Sequence, residues 1–383
     1  MRLYTAGRSR MLVLAPLLLL LSCSSGARLP ASSPAAYAGP SAVASVENGG
    51  LLFTDNQGGV TGTDGGYSIP LPTQTLWVFG DCFLISPKHA DGQFIGGVSD
   101  CGALAPRGKG REVLRSCRFL TDPLTGAARQ LLGTPPSPQN MLRWWPVGGW
   151  YSPIDRRVYL YYGLIRVNGD KPLDFTGVGN GLASAEVSGP NAFQFRIERA
   201  SPHEELWWKQ SEDGATYGNA VVLNCPGPYL YLVGCKERPE GQRARMARVA
   251  KEKIADRSAY EYYAGGEANP TWTKDARKAA AVSGLYDFPS EISVAYNPFL
   301  HGYLAVHSVG IWSRARLCLA DNPWGPYRMI AEIGTPKRAF SSGWCYAGKE
   351  HPELQEENGR IIYVTYVDSD RYWLQLLKIT LKR

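Results

Sequence analysis

Five short apolar runs recur along the chain: "TLWVFGDCF" from Thr75, "RVYLYYGLI" from Arg157, "YLYLVGC" from Tyr229, "GYLAVHSVG" from Gly302 and "IIYVTYV" from Ile361. Their starts are 82, 72, 73 and 59 residues apart. Each is short and rich in β-branched and aromatic residues, which fits a strand better than a helix. Roughly a dozen residues before each run comes a stretch of small, aromatic and polar residues: "TDGGYSIPL", "WWPVGGWYS", "TYGNAVVL", "PSEISVAYN" and "YAGKEHPEL". Between most members of a pair lies a turn signal such as "SPIDRR", "NCPGP", "NPFLHG" or "QEENG". The repeating unit is therefore a hairpin. A period above 50 residues with two visible strands per unit predicts four-stranded blades with long loops, hence an all-β fold, a five-bladed β-propeller. A β-sandwich would also show many short strands, but it gives no reason for the hairpin to recur.

The first stretch of each hairpin is then the strand nearest the axis. This brings Asp64, the Trp145 region, Tyr217 with Asn219, Glu291, and Lys349 with His351 around one funnel. One segment breaks the pattern. "KERPEGQRARMARVAKEKIADR", residues 236 to 257, is rich in Ala, Arg and Lys and reads as a short helical insertion between strands.

The N-terminus changes where the protein is expected to work. Arg2, Arg8 and Arg10 precede an uncharged run from Met11 to Leu21 that is short for a membrane-spanning helix and suits a secretory signal. Leu20-Leu21-Ser22-Cys23 resembles a lipobox, which would make Cys23 the acylated first residue of the mature chain. Residues 1–22 are thus expected to be a lipoprotein signal peptide and residues 23–43, rich in Ser, Ala and Pro, a flexible tether. Residues 44–383 are expected to form the propeller, extracytoplasmic, monomeric and held to a membrane through lipid.

Without the three signal arginines the formal charge falls from +7 to +4, with no nucleic-acid motif, so nucleic acid is not an expected partner. Eleven Trp and 21 Tyr supply the surface chemistry that stacks on sugar rings. Seven cysteines remain beyond Cys23, in a compartment where disulfides persist. Cys225 and Cys235 could clip neighbouring strands and Cys82 and Cys101 could pin the loop between them, though spacing fixes neither pairing. No CxxC or paired-His spacing suggests a metal. GxSxG, Walker and sialidase-type patterns are also absent or single and imperfect.

The opening "TDGGYSIPL" followed by "LWVFGD" resembles the signature of the domain of unknown function 4185 family, some members of which are endo-D-arabinanases. "YGNAVV", "PSEISVAYNP", "NPWGPYR" and "KEHPEL" resemble its later blades in order. Cys82 directly after Asp81 and the basic stretch depart from the family pattern. The resemblance implies a five-bladed propeller, a furanose polysaccharide substrate, no cofactor, and an acidic pair at Asp64 and Asp81.

Glycosidic cleavage needs such a pair: one carboxyl protonates the leaving oxygen, and the other activates water or attacks carbon. Asp64 begins one strand and Asp81 ends the next, so antiparallel pairing returns the second to the first. Both residues are equally at home as turn residues. Glu291 interrupts an apolar strand and faces either a wet funnel or a cation, as substrate binder, pKa tuner or structural ion pair. Asn219 and His351 are candidates for sugar hydroxyls or for structural hydrogen bonds. Tyr217 and Trp145 complete the expected substrate-binding set. A silent glycan-binding or scaffolding propeller is the alternative to the enzyme.

Overall fold

The computed structural model describes residues 41–53, 57–88, 92–137, 141–169, 174–236, 244–286, 291–310, 314–334 and 344–383. The expected signal, Cys23 and nearly all of the expected tether lie outside the described residues.

The inner strands run Val60–Pro70, Leu142–Ser152, Thr216–Leu223, Ile292–Asn297 and Cys345–Glu350. Each contacts the next around a ring, and the last returns to the first. The apolar runs form the second strands, Gln74–Ile85, Arg157–Val167, Tyr229–Cys235, Gly302–Ser308 and Ile361–Asp368, and each pairs antiparallel with its own inner strand. Further strands outside them complete five blades, so the expected propeller is the fold. Five clusters of buried side chains carry it, each dominated by two adjacent blades. Ile69 and Val78 of the first blade meet Leu160 and Tyr162 of the second, for example, and Leu304 and Leu317 of the fourth meet Ile362 and Leu377 of the fifth. Burial of these side chains, at about 1.5–3 kcal/mol each, is the main force holding blade to blade.

The ring closes through a strand from the other end of the chain. Val43–Leu51 pairs antiparallel with Trp373–Leu381 and completes the fifth blade, whose order is 43–51, 373–381, 361–368, 345–350. Near the axis the backbones almost touch: a Cβ on Gly148 would stand 2.6 Å from the Gly218 carbonyl oxygen, so only glycine fits there.

The expected helical insertion is corrected. Ala244–Ala250 is a strand paired with Tyr229–Cys235, followed by 3₁₀ turns at Lys251–Lys253 and Arg257–Ala259. Ala244, Met246, Ala247 and Val249 are buried between sheets, and this burial overrides the helical propensity of an Ala- and Arg-rich stretch. The one α-helix among the described residues is Gln210–Asp213. No helix among them is long and apolar enough to cross a membrane.

Cys82 and Cys101 form a disulfide. No disulfide joins Cys225 to Cys235, and Cys225 Sγ lies 3.4 Å from the Tyr303 hydroxyl.

Candidate active site

A bulge sets the two aspartates side by side. Thr63 pairs with Cys82 and Gly65 with Phe79, so Asp64 alone faces both Gly80 and Asp81 on the neighbouring strand. The irregularity breaks the ladder where the carboxylates stand. Gly65 follows with φ +73°, a conformation that favours glycine, and a Cβ there would lie 3.7 Å from Glu291 Oε1. Glu291, placed immediately before the fourth blade's inner strand, therefore reaches across to the first.

The environments of the three carboxyls differ. Asp64 is fully buried. Tyr372 donates from its hydroxyl to Asp64 Oδ2 at 3.1 Å, whereas Oδ1 has no hydrogen-bond partner among the described residues. Burial, with the charges of Glu291 and Asp81 beside it, pushes the Asp64 carboxyl well above the usual range. Asp81 is half-buried and accepts at Oδ1 from Trp145 Nε1 at 3.0 Å. Burial raises it to about 6, partly offset by Trp145 and Arg143. Glu291 is raised by burial and held down by Lys349, whose Nζ lies 3.2 Å from Oε1. That ammonium is itself buried, donates to the Ala347 carbonyl at 3.0 Å and stands 4.3 Å from the centre of the Tyr67 ring.

Beside these groups opens a cleft of about 550 Å³, part of it open solvent, lined by Gly65, Tyr67, Gly80, Trp145, Asn219 and Glu291 among others. Glu291 Oε2 and the Tyr67 hydroxyl are buried at it with no hydrogen-bond partner among the described residues. A polar ligand would satisfy both. The arrangement offers one carboxyl raised well above the usual range, one raised to about 6, and unsatisfied polar atoms for hydroxyl groups.

Trp145 and Asn219 thus belong to the cleft. His351 and Tyr217 do not line it. His351 has Ser68 Oγ 2.7 Å from Nδ1 and Thr365 Oγ1 2.7 Å from Nε2, and its ring lies 4.4 Å from that of Trp77, so no nitrogen remains for a sugar. Burial and the Lys349 charge hold this imidazole well below its ordinary pKa, hence neutral. Tyr217 points away from the axis into the core between the second and third blades, its ring 4.9 Å from Tyr262 and 5.4 Å from Trp208.

Sequence reasoning missed Tyr372 and the Lys349 ion pair. Tyr372 sits in a turn of the fifth blade, 308 positions from its partner, at φ +49°, a strained conformation for a tyrosine that costs on the order of 1 kcal/mol or more. Nothing local announces it. The ion pair did leave a signal. Lys349 is the one lysine in the five inner-strand stretches, and the buried Glu291 needed a cation.

A family model described as Domain of unknown function (DUF4185) matches residues 52–378. The chain belongs to this family. No curated protein matches the sequence. Among solved structures, a candidate hydrolase from Bacteroides ovatus superposes with a TM-score of 0.59 at 16% identity, covering 84% of this chain and 86% of that one. This likeness supports the fold. The GH43_1 enzyme from Xanthomonas citri complexed with xylotriose gives a TM-score of 0.48 at 14% identity over 87% and 89% of the two chains. The α-L-arabinofuranosidase from Podospora anserina in complex with cellotriose gives 0.42 at 10% over 89% and 98%.

Proposed function

We propose that this family member is a glycoside hydrolase of the cell envelope that cuts an arabinofuranose polymer internally. Asp64 is the acid that protonates the leaving glycosidic oxygen, and Asp81 is the ionised partner that activates water or attacks the anomeric carbon. One observation carries this reading. Two aspartates share one bulge, in environments that raise the first carboxyl well above the usual range and the second to about 6. Turn residues would be exposed and would titrate normally. Glu291, held by Lys349, stands beside Asp64, and its charge is one of the causes that raise the Asp64 carboxyl. The arabinan preference rests on the resemblance of "TDGGYSIPL" and "LWVFGD" to the family's endo-D-arabinanases.

The test is incubation of the purified protein with D-arabinan, L-arabinan and other furanose polymers, with sizing of the products. Release of mid-length oligosaccharides from D-arabinan is expected. Binding without cleavage of any polymer would favour a silent glycan-binding propeller instead. Anchoring through Cys23 is a separate part of the proposal: Cys23→Ser should abolish labelling by a palmitate analogue and release the protein from the membrane. Unchanged labelling would refute it.

A further inference from the structure

The first blade's second strand, Gln74–Ile85, is longer than the blade needs. Its first half, residues 74–79, pairs with Cys101–Pro106 inside the blade. Its second half, residues 82–85, keeps the inner strand's residues 60–63 on one side and takes Phe94–Val98 on the other, a strand that lies off the blade's main path. Asp81 stands at the junction, so this outer extension of the blade, residues 82–85 with 94–98, begins beside the carboxylates. The Cys82–Cys101 disulfide ties its base to the blade.

The extension carries Phe94, 62% exposed, and Ile95, 47% exposed, two of the few large apolar side chains that face solvent among the described residues. Residues 92 to 98, "GQFIGGV", contain no charge. Its aromatic residues lead to the site in steps. The ring of Phe94 lies 6.5 Å from that of Phe83, Phe83 lies 5.2 Å from Tyr372, and the Tyr372 hydroxyl donates to Asp64. Two glycines make room for this row: a Cβ at Gly62 would stand 2.9 Å from Phe83 and 3.1 Å from Tyr372, and one at Gly97 would stand 3.5 Å from the Phe83 ring.

From this geometry we infer that the extension is a distal subsite, in which Phe94, backed by Phe83, stacks on a neutral sugar ring of the substrate away from the bond being cut. The inference rests on the hydrolase reading for its ligand and goes beyond it by assigning a binding surface outside the cleft. Its continuity with the carboxylates through Phe83 and Tyr372 commits the surface to the same polymer. The lack of charge suits a neutral glycan. An exposed aromatic ring offers an apolar face to the C–H bonds of a sugar at little entropic cost.

Affinity electrophoresis of the full chain through gels containing D-arabinan or L-arabinan tests this, run for the wild type, Phe94→Ala and Phe94→Trp, with kcat and KM measured on the same polymers. Loss of one stacking ring should weaken retardation by about ten-fold and raise KM by a similar factor. The turnover number should stay within about two-fold, because Phe94 touches no reacting atom. Phe94→Trp should keep both values. A wild type retarded by arabinan that hydrolyses nothing would defeat the hydrolase reading yet leave the subsite standing, provided Phe94→Ala lowers retardation. Equal retardation of wild type and Phe94→Ala, or none for the wild type, would overturn the subsite whatever the activity.

Discussion

Two buried carboxyl groups and a half-buried third, with one buried ammonium among them, are costly for a fold and useful for chemistry. Asp64, Asp81 and Glu291 all bind protons more tightly in the folded chain than in the unfolded one. Stability should therefore fall as pH rises from the ordinary carboxylate range, near 4, toward the raised values, near 6 for Asp81. Asp64→Asn removes one of these charges while keeping an acceptor for Tyr372. It should raise the melting temperature at pH 7, by the equivalent of about 1 kcal/mol or more, with little gain at pH 4. A melting temperature unchanged or lower at pH 7 would show that Asp64 carries no such penalty. The same charges set the pH profile. The acid limb of kcat/KM should fall near pH 6, where Asp81 gains a proton, and the alkaline limb should report Asp64 losing one. Glu291→Gln removes the neighbouring negative charge and frees Lys349, and both changes lower the Asp64 pKa. The alkaline limb should move down by about one to three pH units, the usual scale for a neighbouring charge. An unmoved limb would remove Glu291 from this role.

The elements that could be read from sequence were those whose apolar pattern their own burial demands. The second strands, such as Tyr229–Cys235, are almost wholly buried and show as apolar runs. The closing strand Val43–Leu51, "VASVENGGL", could not be read: it lies on the outer edge, mostly exposed, and its polar sequence follows from that position. Ala244–Ala250 was misread because its small residues pack between sheets where composition alone suggests a helix. Deleting the chain through Leu51 should uncover the edge of Trp373–Leu381 and remove a full ladder of hydrogen bonds, a loss of several kcal/mol at about 1 kcal/mol each. The thermal transition should broaden, shift down and end in aggregation. A truncated protein that melts like the full chain would show that the ring does not depend on this strand. The disulfide acts on the same scale. It closes a separation of 19 residues, so replacing both Cys82 and Cys101 by Ser should cost about 3 kcal/mol in chemical denaturation.

For the whole molecule, the ring turns distant positions into neighbours. Asp64 and Asp81 come from the first blade, Trp145 from the second, Asn219 from the third, Glu291 from the fourth, and Lys349 and Tyr372 from the fifth. The five-fold hairpin repeat made this convergence foreseeable for residues on inner strands. It gave no warning of which side of each strand faces the axis, and so Tyr217 and His351 were placed in the cleft although they pack away from it. Side-chain direction depends on the register irregularities at Gly65, Val147, Gly218 to Asn219, and Ala347 to Gly348, which no spacing rule reveals. Turnover of D-arabinan by Asp64→Asn and Asp81→Asn, beside a wild type of equal folded fraction, tests the acid–base pair most directly. Each variant should lose on the order of 10³-fold in kcat, in keeping with the 10²–10⁴-fold that general acid–base catalysis supplies. Either variant retaining more than about a tenth of wild-type turnover, well short of that scale, would contradict the assignment of that residue.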